Sequence, residues 1–278
     1  TPQKDSFYVR DGGTNVGLRG GGARYSRDLV AAADSSVDFS QSDSNGDGFA
    51  DIVMIVHTGA GGEVGASNIW SHRWTFTSAH RSYPAIMPDS EYVTNDPWPG
   101  HPGQFIKVNE FIIQPELYVT NPITMNYIGV FCHEFGHVLG LPDLYDVSGV
   151  SEGAGAWDLM ASGSYGGNNS SPWSPTHMSA WCKEQMGWSV PTLLSSSVTG
   201  QLVKYIEKNQ GQTFKFYPRA TYEQEYFLIE NRQKQGFDAS LVSGGLLVWH
   251  IDTTKAGLLT RLSNSVNTDP NHLGVGLL

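Results

Sequence analysis

The 278-residue sequence has few charged residues, few cysteines and no long apolar run. Charged residues make up 16%, against about 25% in an average soluble domain, so uncharged polar residues and glycine must cover much of the surface. The 27 acidic residues outnumber the 17 basic ones, no Lys/Arg cluster interrupts this excess, and the net charge is −10. We therefore expect no nucleic-acid partner. No apolar stretch reaches the roughly 18 residues of a membrane span, so we expect no membrane-spanning segment.

Hydrophobic periodicity predicts a mixture of helices and strands. A helix is predicted from Asn121-Pro122 to Gly140, with a helix N-terminus signal at its start and a glycine cap at its end. The proline-rich stretch Arg73–Gly103 predicts long irregular surface. The other predicted helices are Ser26–Ala33 and Thr176–Met186, and the predicted strands are Ile52–His57, Phe105–Ile113, Gln201–Lys208, Thr213–Tyr217, Gln224–Asn231 and Gly245–Ile251.

The chain shows no internal repeat and no low-complexity linker, which favours one domain over residues 1–278. Residues 1 to about 190 would form its core, and about 191–278 a β-rich C-terminal part. The start at Thr1 without an initiator methionine, and the apolar ending His272–Leu278, lead us to expect a trimmed form and a truncated C-terminal part.

The strongest chemical signal is His133-Glu134-Phe135-Gly136-His137 in the long predicted helix. Residues four apart on a helix lie on one face, so both imidazoles can bind the same metal ion. Glu134 lies beside that face and can take a proton from a water on the metal, as in zinc peptidases. This pattern predicts a catalytic metal site with Glu134 as general base.

A third ligand is expected just past the end of the helix. Gly140 allows the chain to turn back, and Asp143 follows three residues later. The alternative interpretation is a helix with two surface histidines. Chance alone produces His-Glu-x-x-His in about one sequence of this length in a hundred, even before Gly140 and Asp143 are required. We therefore predict that His133, His137 and Asp143 bind zinc.

The pattern His133-Glu134-x-x-His137-x-x-Gly140-x-x-Asp143 resembles the extended zinc signature of metzincin metallopeptidases with an aspartate ligand. Immune inhibitor A-type peptidases and the much shorter snapalysins share that variant. Three further stretches resemble the immune inhibitor A type: Trp157–Gly163, Glu230–Arg232 and Trp249–Asp252. The resemblance implies a metzincin-like α+β peptidase domain. It also implies a secreted, extracellular zinc metalloendopeptidase that acts on protein or peptide substrates, is made with a propeptide and often carries further C-terminal domains.

The resemblance gives roles to two more residues. Met160, seventeen residues beyond Asp143, matches the methionine that lies in a tight turn beneath the metal in metzincins. Its alternative role is that of an ordinary core methionine. Tyr165 could contact the developing oxyanion, although its spacing differs from that of the related tyrosines, and it could equally be a loop aromatic.

The two cysteines, Cys132 and Cys182, are too few for a disulfide framework. One bridge between them would close a loop of about 50 residues and stabilise an exported protein by roughly 4 kcal/mol. The alternative is that Cys132, which shares a helix face with apolar side chains, is a buried free thiol. We favour the disulfide.

A second metal site is predicted in an Asp/Gly-rich loop. Oxygen ligands stand at the first, third, fifth and ninth loop positions, a glycine stands at the sixth, and a backbone carbonyl is offered at the seventh, as in calcium loops. Position twelve is Met54 instead of the usual glutamate, and the alternative is a solvated turn. The predicted calcium ligands are Asp43, Asn45, Asp47, Phe49 and Asp51.

The leading function is therefore a zinc-dependent, calcium-supported endopeptidase, which we expect to be a monomer. Two alternatives remain: a calcium-dependent surface-binding or adhesive module with an inert zinc site, and a snapalysin-like protease. The length of the chain and its β-rich tail disfavour the second alternative.

Overall fold

The computed structural model describes residues 5–10, 16–167, 171–206, 212–218 and 224–278. The chain divides into two compact units, residues 1–126 and 127–278. Each unit contains helices and strands, which confirms the α+β class. The boundary between the units falls inside the predicted core of residues 1 to about 190, and residues 127–190 lie with the β-rich tail in the second unit.

The first unit surrounds the long central strand of a mixed sheet. Its helices are α1 (Asp5–Arg10), α2 (Gly21–Ala33) and α3 (Phe76–Ser82), and its strands are β1 (Val53–Ala60), β2 (His72–Thr75), β3 (Tyr92–Pro97), β4 (Phe105–Val108), β5 (Glu110–Thr120) and β6 (Ile123–Met125). Strand β5 pairs in parallel with β1 and antiparallel with β2 and β6, while β3 and β4 form a separate hairpin. Phe111, Ile112 and Ile113 of β5 are fully buried. Burial on both faces explains why Phe111–Ile113 is apolar throughout instead of alternating with polar residues.

The second unit combines the motif helix with a five-stranded sheet. Its helices are α4 (Ile128–Val138), α5 (Ala180–Gln185) and α6 (Leu258–Leu262), and its strands are β7 (Thr192–Leu193), β8 (Phe214–Phe216), β9 (Glu225–Arg232), β10 (Gly245–Asp252) and β11 (Val275–Leu277). The sheet order is β11-β10-β9-β8-β7. Side chains of β9 alternate between buried and half-buried positions, so one face of the sheet packs on the core.

Four ionic side chains, Lys183, Glu230, Arg232 and Asp238, form a buried ion cluster between α5 and the sheet. The Arg232 guanidinium is fully buried and donates to both Asp238 oxygens, at 2.5 and 2.6 Å. Lys183 Nζ donates to Glu230 Oε2 at 3.1 Å, and Trp249 Nε1 donates to Glu230 Oε1 at 2.8 Å. Burial raises the pKa of Glu230, but the Lys183 and Arg232 charges and the Trp249 hydrogen bond outweigh it and lower that pKa below its ordinary value.

Several predicted elements have different bounds in the structure. Helix α3, strand β3 and most of β2 fall within Arg73–Gly103, which is therefore not an irregular stretch. Phe105–Ile113 is divided between β4 and β5, and Thr176–Met186 becomes a helix only from Ala180. The predicted strand Gln201–Lys208 contributes an isolated bridge at Tyr205, and residues 207 and 208 lie outside the described residues.

The start of the motif helix was also predicted wrongly. Helix α4 begins at Ile128, not at Asn121-Pro122. The intervening Ile123–Met125 pairs as β6 with the end of β5, so its backbone takes part in the sheet instead of a helix. The Asn-Pro pair is compatible with a turn between strands as well as with the start of a helix. The sequence alone does not distinguish these two structures.

The expected disulfide is absent, since Cys132 and Cys182 are both free thiols. The Cys182 thiol is buried and donates to Asp158 Oδ2 at 3.3 Å. Cys132 is half-buried and packs against the apolar core of the second unit. Burial raises the pKa of both thiols. Each thiol therefore stays protonated as a packing group, the alternative considered for Cys132.

Among the described residues, no helix combines the length and the apolar character needed to cross a membrane.

The ion cluster predicts how acid affects stability. Because the pKa of Glu230 is lowered in the folded state, its contribution is complete above the ordinary glutamate pKa and is lost as the pH falls through the folded value. Glu230→Gln removes the charge that compensates Lys183, while Arg232 keeps its pair with Asp238, and the loss should cost about 3–5 kcal/mol at neutral pH. The mutant should also lose less stability than the parent on acidification. Urea unfolding at neutral and acidic pH measures both effects.

The exposed Glu152→Gln provides the matched control, for which we expect little change. Equal stability of Glu230→Gln and the parent at neutral pH would contradict the account.

Candidate metal centre

The local sequence explains how α4 presents its two histidines and then turns back. The helix ends at Val138, and Gly140 adopts a left-handed conformation with φ 91°. Gly140 N donates to His137 O at 3.0 Å, and Leu141 N donates to Gly136 O at 3.1 Å. This is a Schellman cap, which only glycine adopts easily. The predicted glycine cap is confirmed, and it directs the chain towards Asp143.

The structure brings the three predicted ligands together. Asp143 Oδ1 lies 3.0 Å from His133 Nε2 and 3.2 Å from His137 Nε2. Ligand atoms about 2.0–2.1 Å from a tetrahedral zinc ion are about 3.3 Å apart, close to these separations. The ligand atoms of the three side chains all lie within 4.8 Å of one another. His133 and Asp143 are buried, and His137 is half-buried.

Backbone carbonyls determine which imidazole nitrogen faces Asp143. His133 Nδ1 lies 2.9 Å from Leu159 O, and His137 Nδ1 lies 2.8 Å from Leu141 O. A carbonyl accepts only from a protonated nitrogen, so a neutral imidazole here presents the Nε2 lone pair to Asp143. Asp143 Oδ1 is then a buried oxygen without a hydrogen-bond donor. Three lone pairs directed at one point fit a metal ion of the zinc type.

The electrostatics of the three ligands also favour a cation. Burial lowers the pKa of His133, but Asp143 and the charge of Glu134 outweigh it and raise that pKa to about 9. Burial raises the pKa of Asp143, but the hydrogen bonds and charge interactions that it gains when the two imidazoles are protonated outweigh burial and lower that pKa overall. A metal ion must therefore displace a proton from this group, and acid weakens metal binding.

Glu134 is placed where the sequence predicts a base. It is buried on α4 beside the first ligand, and its charge acts on both His133 and Tyr145. A carboxylate that is close to the ligands without being one of the three can exchange a proton with a water at the metal.

Two residues that contact the ligand group were missed from the sequence. Asn264 Oδ1 accepts from Asp143 N at 2.6 Å, and Asn264 Nδ2 donates to Asp143 Oδ2. The Tyr145 ring stacks on His133, with 6.2 Å between centroids and 21° between planes. Burial, then the Asp143 charge and a hydrogen bond to Asp143, raise the pKa of the Tyr145 phenol. Asn264 lies 121 residues from Asp143, so local spacing gives no signal for it.

Met160 lies beneath the helix that carries the ligands. Its side chain is fully buried, and a Cβ at Gly136 would clash with its sulfur. Asp158 Oδ1 accepts from Met160 N at 2.6 Å, and Asp158 Oδ2 accepts from Ser179 N at 2.8 Å. This buried carboxylate therefore fixes the Leu159–Met160 turn, whose Leu159 carbonyl orients His133.

The remaining predicted positions are Tyr165 and the Asp43–Asp51 loop. Tyr165 is half-buried at the end of the short 3-10 helix Ser162–Tyr165, and its oxyanion role stays a prediction. In the Asp43–Asp51 loop, Asp43 accepts from Asp47 N and Gly48 N, each at 3.0 Å. The Asp51 side chain accepts from Ser44 Oγ at 2.5 Å, and Asn45 Nδ2 donates to Asp47 Oδ2 at 3.0 Å. Phe49 forms a bridge with Lys107. The calcium assignment stays a prediction.

Asn264 predicts a long-range effect on metal binding. Replacing it by alanine removes both hydrogen bonds that orient Asp143 without removing a ligand. Loss of such an outer partner typically weakens metal binding by about 10–100-fold. We expect this loss in Asn264→Ala, measured by competition with a coloured zinc chelator.

The control is the exposed Asn271→Ala on the same loop. Unchanged affinity in Asn264→Ala would show that Asp143 does not need Asn264.

Known proteins are similar to this chain over part of its length. The model of the immune inhibitor A peptidase M6 catalytic domain matches residues 31–189, more than half of the chain. Immune inhibitor A of Bacillus thuringiensis subsp. alesti is 34% identical over 208 residues, covering 66% of this chain and 27% of the relative. Pre-pro-metalloprotease PrtV of Vibrio cholerae serotype O1 (strain M66-2) is 32% identical over 167 residues, covering 57% of this chain and 15% of the relative.

The chain thus spans at most about a quarter of the length of these relatives. The family match includes the helix with both histidines, the turn to Asp143 and the buried methionine beneath them. Sequence match and site geometry agree, and the chain belongs to the immune inhibitor A peptidase M6 family of metallopeptidases.

Proposed function

We propose that this protein is a zinc-dependent endopeptidase that hydrolyses peptide bonds in protein substrates. The observation that carries the proposal is the convergence of His133 Nε2, His137 Nε2 and Asp143 Oδ1, with the buried Glu134 next to the first histidine. Three protein ligands leave the fourth position of a tetrahedral zinc ion open, as catalytic zinc sites require. The metalloprotease name of the Vibrio cholerae relative supports the same chemistry.

The chain's own residues account for proton transfer. When bound, zinc supplies an acidified water and polarises the scissile carbonyl. Glu134 takes a proton from that water and later delivers it to the leaving amine, so one carboxylate serves both steps. The carbonyls of Leu141 and Leu159 hold the imidazoles in the tautomer that ligates, and Asn264 holds Asp143.

We assign Met160 to the metzincin-type methionine turn. Its buried sulfur against Gly136 and the position of Leu159 next to it support this role. The thioether packs beneath the ligands without binding the metal. Tyr165 stays a proposed oxyanion contact, while Tyr145, with its raised pKa, is a protonated phenol already next to the ligands.

We also propose extracellular action on protein or peptide substrates by a monomeric enzyme. The name pre-pro-metalloprotease describes the Vibrio cholerae relative as a precursor, and such processing is typical of exported proteases. The low charged fraction of 16% is compatible with that setting.

Replacing Glu134 separates the peptidase from the adhesive alternative. Glu134→Gln keeps the three ligands and removes the base, so casein cleavage should fall by at least about 100-fold, the typical range for a lost acid–base catalyst. Zinc content, measured by mass spectrometry, should stay that of the parent. Glu152→Gln, which changes an exposed glutamate, should cleave casein normally. Normal cleavage by Glu134→Gln would reject Glu134 as the base. Casein cleavage by the parent that persists after zinc is removed would reject the zinc-dependent peptidase.

We further propose calcium as a stabilising ion at the Asp43–Asp51 loop, supported by the ligand spacing in the sequence. Adding calcium to the zinc-loaded protein should raise the melting temperature of the parent, because binding to the folded state stabilises it by about 2.7 kcal/mol at 100 times Kd. Asp47→Asn should remove that rise, measured by differential scanning calorimetry. Asp89→Asn, a surface substitution in the same unit, should retain it. A parent melting temperature that does not respond to calcium would contradict the assignment.

A further inference from the structure

A second group of metal-ligating side chains lies at one end of the five-stranded sheet. Glu225 begins β9 and Asp252 ends β10, and the two residues are direct cross-strand partners. His250 precedes Asp252 by two residues on β10, so it lies on the same face of the sheet. His272 comes from the segment before β11. We call Glu225, His250, Asp252 and His272 the strand-end cluster.

The strand-end cluster has the separations of a metal-binding group. His272 Nε2 lies 3.1 Å from Asp252 Oδ2, and His250 Nε2 lies 3.2 Å from Glu225 Oε2. The ligand atoms of Glu225, Asp252 and His272 all lie within 4.8 Å of one another. The two imidazole rings are 5.9 Å apart. Adjacent ligands of a tetrahedral zinc ion are about 3.3 Å apart, so the ligand atoms of Glu225, Asp252 and His272 need to move little to share one ion, with His250 next to Glu225.

One carboxylate of the cluster is already oriented by its neighbours. Asp252 is buried, and its Oδ1 accepts from Thr254 N at 2.8 Å and from Thr254 Oγ1 at 2.6 Å. These bonds leave Oδ2 directed at His272. Lys255 Nζ donates to His272 O at 2.8 Å, which holds the backbone of His272 near the strand end. Fixed first ligands of this kind reduce the entropy lost when a metal binds.

The donor set indicates which ion fits. Two carboxylates placed together repel each other unless a cation lies between them. Imidazole nitrogen is a favourable ligand for zinc, whereas calcium prefers oxygen ligands throughout. One imidazole with two carboxylates therefore favours a zinc-type ion over calcium.

The cluster also lies at both ends of a functionally important loop. Residues 253–274 join β10 to β11, and His272 lies near the end of this loop. The loop also carries Asn264, which hydrogen-bonds Asp143 of the first site. An ion bound by Asp252 and His272 would restrain the loop at its two ends.

We propose that Glu225, Asp252 and His272 form a second site for a zinc-type divalent ion, which restrains the loop that carries Asn264. The site is separate from the three ligands of the proposed peptidase centre, so it can be tested whether or not that centre is catalytic.

Zinc titration of the full chain tests the proposal. The Glu134→Gln protein, in which self-cleavage is prevented, is stripped with a chelator and titrated calorimetrically with zinc at about pH 7.5, where unperturbed imidazoles are neutral. We expect two equivalents to bind. Adding His272→Ala should weaken one equivalent by at least about 100-fold, because removing a ligand should cost no less than removing an outer partner. Adding His137→Ala should weaken the other equivalent and retain the strand-end site.

The matched control is His101→Ala, an exposed histidine of the first unit, which should leave both equivalents unchanged. The His272 side chain is 44% exposed, so its removal deletes little packing. Should circular dichroism nevertheless show a misfolded His272→Ala, Glu225→Gln provides the same test with a side chain of equal size. The proposal is overturned if the His137→Ala protein binds no zinc, if folded His272→Ala still binds two equivalents, or if excess calcium displaces the second ion.

Discussion

The need for a positive charge between three ligand atoms is the constraint on which the site depends. His133 Nε2 and His137 Nε2 face Asp143 Oδ1 at 3.0 and 3.2 Å, largely out of water. Without a positive charge between them, that arrangement is unfavourable, because a buried carboxylate oxygen has no donor and two lone pairs point at it. A metal ion converts the same arrangement into three bonds. Every contact around the ligands serves to keep those atoms directed at one point.

The support for the ligands extends well beyond them. The cap of α4 places the Leu141 carbonyl under His137, and the turn before Met160 places the Leu159 carbonyl under His133. That turn is held by Asp158, which also accepts from Ser179 at the start of α5. Arg232 of the buried ion cluster donates to the carbonyl of Trp157, the residue before Asp158, at 3.2 Å. The buried charges of the sheet thus help to position His133.

The convergence of His133, His137 and Asp143 could be predicted from the sequence because their geometry is local. A four-residue spacing on a helix, a glycine cap and an aspartate three residues later lie within eleven positions. The helix and its glycine cap each have a well-defined backbone conformation. Asn264 could not be predicted in this way, because its contact with Asp143 depends on how a loop far along the chain folds back.

Local signals gave wrong predictions where one sequence pattern is compatible with two local structures. Asn121-Pro122 fits a helix start as well as a turn, and the pairing of β6 with β5 decides between them. The two cysteines met the requirements for a bridge in number and separation, but Cys182 forms its hydrogen bond with Asp158.

The most direct test of the central claim is a crystal structure of the zinc-loaded protein with anomalous diffraction measured at the zinc absorption edge. The account predicts an anomalous peak about 2.0–2.2 Å from His133 Nε2, His137 Nε2 and one Asp143 oxygen, with Glu134 outside bonding distance. Absence of a peak between these three side chains, or Asp143 turned away from a zinc ion that the two histidines hold, would contradict it.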